Sequence, residues 1–287
     1  MVCVIDSCAD LLSRYDVVFC DIWGVMHDGH KAYQGANAAM QRFRQDGGTV
    51  ILVSNAPVPA ERVAEMLRYV GVVDDAWDWI VASGDIALRH IAERGYAKLY
   101  AIGPRDRDDA LFSRLPEIID DVTRVDAIVC SGLDNDQVET AESYRAVLET
   151  ARSHNIPFVC ANPDLVVDVG GTSYLCAGVI GSLYETLGGD VYWAGKPHRS
   201  AFDTAMDRAK SIRGEDVPLS RTLVIGDALR TDMRGAKTMG TDALFVAGGI
   251  HREDTMKNAK ICPAKLESFL SSEESFPLVA AMAELRW

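Results

Sequence analysis

Short, wholly apolar, β-branched runs alternate with helical spacings along most of this chain, and that alternation leaves few folds open. Val17-Val18-Phe19-Cys20 reads as a strand ending at Asp21. Ala36, Ala39, Met40 and Phe43 then recur at i, i+3, i+4 and i+7, which is one face of a helix closed by Gly47-Gly48. Thr49 to Val53 is a second strand, ending at Ser54. Val63, Met66, Leu67 and Val70 repeat the helical spacing, with Gly71 as the C-cap. Trp79 to Ala82 is a third strand. Far downstream, Phe202, Ala205, Met206 and Ala209 mark a helix, Thr222 to Ile225 a strand running into Gly226-Asp227, and Ala243 to Val246 another strand. Strands apolar on both faces, separated by amphipathic helices, predict a parallel sheet between two layers of helix.

The middle of the chain has a βα rhythm of its own. Lys98 to Ile102, a helix around 108–114, Ala127 to Cys130, a helix over 137–153, and Phe158 to Ala161 follow one another. The 287 residues exceed one ordinary domain. The expectation is a core made of residues 1–84 and 191–287, with a second α/β domain, 85–190, inserted into it. Gly170-Gly171 reads as loop, and the apolar stripe Leu278, Val279, Met282 and Leu285 as core or interface.

Composition narrows the partners. Lys plus Arg is 29 and Asp plus Glu is 42, a net charge of −13. Binding a phosphate backbone needs clustered basic residues, so nucleic acid is not expected, whereas a small anion in a local positive pocket stays open. The seven cysteines are widely spaced with no C-x-x-C pair, which argues for reduced, buried thiols over a zinc site or a disulfide framework. The N-terminal MVCVIDSCADLL lacks the features of a signal peptide, and no run reaches the roughly 18 apolar residues of a membrane span. A cytoplasmic protein with no membrane partner is expected.

Four segments carry chemistry: VVFCDIWGVMHDG, ILVSNAP, YWAGKPH and LVIGDALRTD. In open α/β sheets ligands bind at the carboxyl ends of the strands. Asp21, Ser54 and Asp227 fall at predicted strand ends, and Lys196 follows a short apolar run. A carboxylate such as Asp21 can attack phosphorus and form an acyl-phosphate. Asp21 and Asp227 offer hard oxygen ligands suited to Mg²⁺. Ser54 and Lys196 can donate hydrogen bonds and charge to phosphoryl oxygens.

In sequence and order, the DIWGV, SNAP, AGKPH and GDALRTD segments resemble the four motifs of the haloacid dehalogenase superfamily. The insert between the second and third resembles the cap of its subclass IIA, the NagD-like phosphatase group, notably at Cys160-Ala161-Asn162-Pro163-Asp164 and Leu175-Cys176-Ala177-Gly178. The likeness spans roughly residues 13–250. It implies a three-layer Rossmann-like core with an inserted C2-type cap, and Mg²⁺-dependent phosphoryl transfer from a small phosphorylated metabolite. Carried over by position, Asp21 is the nucleophile and a metal ligand. Ser54 and Lys196 bind phosphate with Asn55 nearby, Lys196 also assists catalysis, and Asp227 and Asp232 hold the metal together with the main-chain carbonyl of Trp23. Caps of this kind often pair, so a homodimer through the cap is an open expectation.

Trp23 is also the departure. The family's phosphatases carry a second Asp there, which protonates the leaving oxygen and then activates water. An indole N–H does neither. General acid–base catalysis is worth on the order of 10²–10⁴-fold. Three readings follow: another group substitutes, with His27, Asp28 and His198 nearest in sequence; the substrate has a good leaving group; or the chain binds phosphometabolites with little turnover. Superfamily members acting on carbon–halogen bonds lack that Asp too but need no metal, so the retained GDxxxTD carboxylates favour a phosphoryl or phosphonyl group.

Overall fold

The computed structural model describes residues 2–169, 172–271 and 274–287, so Gly170-Gly171 lies outside the described residues. The chain divides into two compact units. One comprises Met1–Ser54, Ala64–Val81 and Lys196–Trp287, the other Asn55–Val63 and Ala82–Gly195.

The first unit is built on a six-stranded sheet. Its strands lie in the order Leu278–Met282, Asp242–Val246, Thr222–Gly226, Val17–Cys20, Thr49–Ser54, Trp79–Ala82. The pairs from Leu278–Met282 through to Thr49–Ser54 are parallel. Val17–Cys20 and Thr222–Gly226 are buried along their whole length, which is why they read as unbroken apolar runs without alternation. Cys20 stands in register with Ile225 on one side and Leu52 on the other. Asp21, Ser54 and Asp227 therefore leave the sheet along one carboxyl edge. The helical spacings hold: Gln34–Gln45 buries Ala36, Ala39, Met40 and Phe43, and Arg199–Arg213 buries Phe202, Ala205, Met206 and Ala209. Phe202 packs its ring 6.4 Å from that of Phe19 on the central strand. The 278–285 stripe is an edge strand, Leu278–Met282, followed by the buried Leu285.

The second unit has its own parallel sheet, ordered Val191–Trp193, Phe158–Cys160, Ala127–Cys130, Lys98–Ile102, Glu117–Ile118. Its separate core includes Ile128, Leu148, Phe158, Ile180 and Tyr184. An antiparallel hairpin, Val166–Val169 with Thr172–Leu175, is added to it. Two helices are shorter than their spacing predicts. The helix expected over 108–114 is the single turn Asp109–Phe112. The one expected over 137–153 begins at Arg145, after a 3₁₀ turn Ala141–Tyr144 capped reciprocally by Thr140 and Ser143. Upstream, the Glu139 carboxylate accepts from the Asn135 N–H (2.7 Å) and from the Tyr144 hydroxyl (2.7 Å), and these side-chain bonds compete with a helix there.

Phe202 is 1% exposed at the seam between the central strand and its covering helix. Phe202→Ala is expected to destabilise the protein by about 3–5 kcal/mol in urea unfolding, through lost transfer energy plus a cavity.

Candidate active site

The site grows from the carboxyl edge of the first unit's sheet. The Asp21 N–H donates to the Ile225 carbonyl (2.8 Å), so the chain stays in ladder register until the carboxylate has cleared the sheet. Asp21 Oδ1 accepts the N–H of Ile22 at 2.7 Å and the Nζ of Lys196 at 2.5 Å. Lys196 Nζ also donates to Asp232 Oδ1 at 2.8 Å. The Asp21, Lys196 and Asp232 side chains are 12%, 4% and 1% exposed. Burial works against the charge on Lys196, but the two carboxylates outweigh it and raise its pKa, so the ammonium is permanent.

Asp227 is buried one residue beyond Gly226, the end of its strand, and its Oδ2 accepts the Ile250 N–H at 2.7 Å. Asp232 sits on a π-helical turn, Leu229–Met233, where the Met233 N–H reaches back to the Ala228 carbonyl at 3.3 Å. Single π turns recur at functional positions, because the extra residue re-aims one side chain. Gly24 has φ +81, and a Cβ there would collide with Asp227 Oδ2, so a glycine is what lets the turn after Asp21 approach this carboxylate.

Asp21, Asp227 and Asp232 each bring a carboxylate oxygen within 4.8 Å of the others. Against three carboxylates stands the ammonium of Lys196, so full ionisation would leave two negative charges in a dry environment. The crowding opposes ionisation of the two inner carboxyls. Burial, then Asp21 and Asp232, drive the Asp227 carboxyl far above its usual range. Burial and Asp21 raise Asp232 to about 6, even with Lys196 beside it. Hard oxygen donors with an unmet charge of two fit a divalent cation such as Mg²⁺.

Of the residues named from sequence, Asp21, Lys196, Asp227 and Asp232 converge. Ser54 ends its strand at the same edge. Asn55 is turned into the second unit, donating from Nδ2 to Asp164 Oδ1 (2.9 Å) and accepting from Ser83 Oγ (3.4 Å). That link joins two sequence features read separately, and a distance of 109 positions hides it from any local pattern.

Trp23 packs into the turn that follows it. The Gly24 N–H donates to the His27 carbonyl at 2.9 Å, and the indole meets the His27 ring edge-on at 5.0 Å. A Cβ on Gly29 would lie 2.7 Å from the indole Cζ2. His27 and Asp28 are both held within this turn. His27 is fully buried, its Nδ1 accepts the Gly29 N–H at 2.9 Å, and burial holds its pKa down to about 4. Asp28 is a turn carboxylate, its Oδ1 accepting the N–H groups of His30 and Lys31 at 2.9 Å each. Burial opposes its charge, but those two N–H groups prevail and lower its pKa, so it stays ionised. His198 is the N-cap position of the helix Arg199–Arg213.

Residues 18–113 match the family model described as Haloacid dehalogenase-like hydrolase, and residues 193–270 one described as HAD-hydrolase-like. A haloacid dehalogenase-like hydrolase from Brucella suis 1330 superposes with a TM-score of 0.84 at 39% identity, covering 98% of this chain and 100% of that one. A 4-nitrophenylphosphatase from Thermotoga maritima gives a TM-score of 0.70 at 20% identity over 96% of each chain. An acid sugar phosphatase of Staphylococcus aureus is 25% identical over 255 residues, 88% of this chain and 94% of its own.

Two outcomes follow from the buried charges. Asp227→Asn keeps an oxygen for the Ile250 N–H and removes a carboxyl whose ionisation burial, Asp21 and Asp232 oppose. Without added metal it is expected to melt higher than the parent at neutral pH, by on the order of 1 kcal/mol or more, while losing the thermal shift that Mg²⁺ gives the parent. His27 contributes in the opposite pH direction. Its folded pKa lies below the unfolded 6.5, so the stability it confers is complete above pH 6.5 and is lost as pH falls towards 4. The difference is worth about 3 kcal/mol. His27→Asn, which keeps an acceptor for Gly29, is expected to flatten the pH dependence of unfolding free energy across that window.

Proposed function

The chain belongs to the haloacid dehalogenase-like hydrolase family, and from that premise we propose that it is a Mg²⁺-dependent phosphohydrolase acting on small phosphorylated metabolites whose leaving group departs without a proton. The observation that carries this reading is the Lys196 ammonium held between Asp21 and Asp232 with Asp227 alongside. The acid sugar phosphatase and 4-nitrophenylphosphatase among its relatives support the phosphate ester class.

In this reading Lys196, with the Ile22 N–H on the same Oδ1, fixes the direction of the Asp21 carboxylate. Asp21 attacks phosphorus in line, the ester oxygen leaves, and the product is an aspartyl-phosphate that water later hydrolyses. Lys196 shares the equatorial phosphoryl charge, and Ser54 donates a hydrogen bond to it. Asp21, Asp227, Asp232 and the Trp23 carbonyl would hold a Mg²⁺, which would supply Lewis-acid neutralisation of the phosphoryl group. Asn55 acts on the phosphate indirectly, holding the chain just beyond Ser54 through Asp164.

Trp23 sets the substrate's limits. The position that would supply a proton holds an indole braced by His27 and Gly29. Phosphates with acidic leaving groups, aryl and acyl phosphates, need no such proton. Alkyl phosphates do.

Phosphate release from 4-nitrophenyl phosphate is expected to require Mg²⁺, to stop with EDTA and to fall at least ~10³-fold in Asp21→Asn. Undiminished turnover in that variant, or Mg²⁺-dependent phosphate binding with no turnover of any aryl or acyl phosphate, overturns the reading. Rates across a leaving-group series should fall steeply as the leaving group becomes more basic. Trp23→Asp should lift alkyl phosphate turnover by up to ~10²-fold or more, the usual return from a general acid.

A further inference from the structure

The second unit's sheet has a reversal of strand order of its own. From Lys98–Ile102 the chain passes to Glu117–Ile118 on one side, then crosses back to lay Ala127–Cys130 on the other. The order reverses between Lys98–Ile102 and Ala127–Cys130, and at such reversals open parallel sheets hold ligands, outside the strands' carboxyl ends. The residues just past those two ends are Gly103 and Ser131.

Two side-chain oxygens at this point are buried and unsatisfied. Asp108 is 3% exposed and Ser131 is 1% exposed. Neither Asp108 Oδ2 nor Ser131 Oγ completes a hydrogen bond of ordinary geometry with the protein, although Ser131 lies close enough to the carboxyl to hold its pKa down against the larger effect of burial. A buried polar atom left without a partner costs about 1–3 kcal/mol. Two together at a sheet's reversal point are a cost that a bound ligand removes.

The surroundings define the ligand. Asp108 Oδ1 receives Arg107 Nε at 3.4 Å, and Arg107 Nη1 goes on to Asp136 Oδ2 at 2.7 Å. The carboxylate's charge is thus met by a guanidinium, and an ammonium ligand would face that cation. What remains open is hydrogen-bond acceptance at two neighbouring oxygens. Gly103, at φ +141, lets the backbone pass beside Ser131 Oγ, where any Cβ would collide with it, and its N–H is held by Asp134 Oδ1 at 2.7 Å. Over this point lies the Arg107 side chain, 55% exposed, its Nη2 3.0 Å from where a Gly132 Cβ would stand. A long exposed arginine swings aside without moving the backbone.

We propose that Asp108 and Ser131 form a hydroxyl-binding pair that takes the adjacent hydroxyl groups of a sugar or polyol in the second unit, beneath Arg107. In dinucleotide-binding sheets an acidic residue near the same reversal point accepts from ribose hydroxyls, so the chemistry suits the place. The pair would give the chain a means of recognising the organic part of a polyhydroxylated compound without reference to its phosphate.

The test uses the full chain and ribitol, which has hydroxyls and no phosphate, so its result is independent of whether the phosphohydrolase reading holds. Saturation-transfer NMR at concentrations up to about 20 mM is expected to detect ribitol on the parent, with at least a tenfold loss of affinity in both Ser131→Ala and Asp108→Asn. Because the serine hydroxyl is unsatisfied when no ligand is bound, Ser131→Ala should melt no lower than the parent. Absence of ribitol binding, meaning that only a buried water occupies this point, overturns the proposal. So does equal binding by both variants, preferential binding of ethylammonium over ribitol, or a lower melting temperature in Ser131→Ala with affinity unchanged.

Discussion

A single ammonium set among three carboxylates is the constraint around which the first unit is arranged. Lys196 touches Asp21 and Asp232 with almost no water near any of them. Placing these groups requires three separate parts of the chain to arrive together. Adjacent parallel strands deliver Asp21 and Asp227 at one edge, and the register Cys20 to Ile225 fixes their offset. A π turn rotates Asp232 back towards the sheet, and Lys196 comes in after the chain has completed the whole second unit. Removing the ammonium from such a buried set leaves uncompensated carboxylates, at a cost of about 3–5 kcal/mol, more than most single core contacts supply. The apolar burial of Val17–Cys20 and Thr222–Gly226 has to be extensive, because it supports a charge cluster that by itself disfavours folding.

What the amino-acid pattern revealed, and what it hid, divides along a physical line. The central strands and the long helices were legible because full burial and one-sided burial each leave a periodic mark: Phe202 through Ala209 is one face of one helix, and it is buried as such. The four charged residues of the site were legible because each sits in a recognisable local segment. Contacts between distant segments left no such mark. Nothing near Asn55 announces Asp164, and nothing in the run around Glu139 shows that its carboxylate holds Asn135 and Tyr144 and so delays the helix to Arg145. Short strands failed for a related reason. Val166–Val169 is only half buried, so its sequence mixes an aspartate into an apolar run and carries no clear period. His27 looked like a spare acid beside Trp23; only packing shows it fully buried and held neutral at physiological pH.

The turn from Trp23 to Gly29 packs as one piece. The indole has a partner ring in His27 and a space kept clear at Gly29. The backbone closes under it through the Gly24 N–H. A small carboxylate in place of that indole would leave a void beside a buried histidine whose Nε2 already lacks a protein partner. The local sequence is thus packed around the indole.

Charge returns the argument to composition. The chain carries 13 net negative charges, and its reactive edge concentrates two of them after Lys196 has been counted. A phosphate dianion approaching that edge alone is repelled, by an interaction that weakens little with salt because the groups are buried. In the proposed mechanism one divalent cation brings the site to neutrality. Asp227 and Asp232, whose ionisation burial opposes, then become the groups that hold it. In that mechanism metal occupancy would govern phosphate affinity more strongly than a change in surface charge. An acidic surface is compatible with an anionic substrate because recognition is decided by a few desolvated groups, among which the count of charges is small enough for a single ion to reverse its effect.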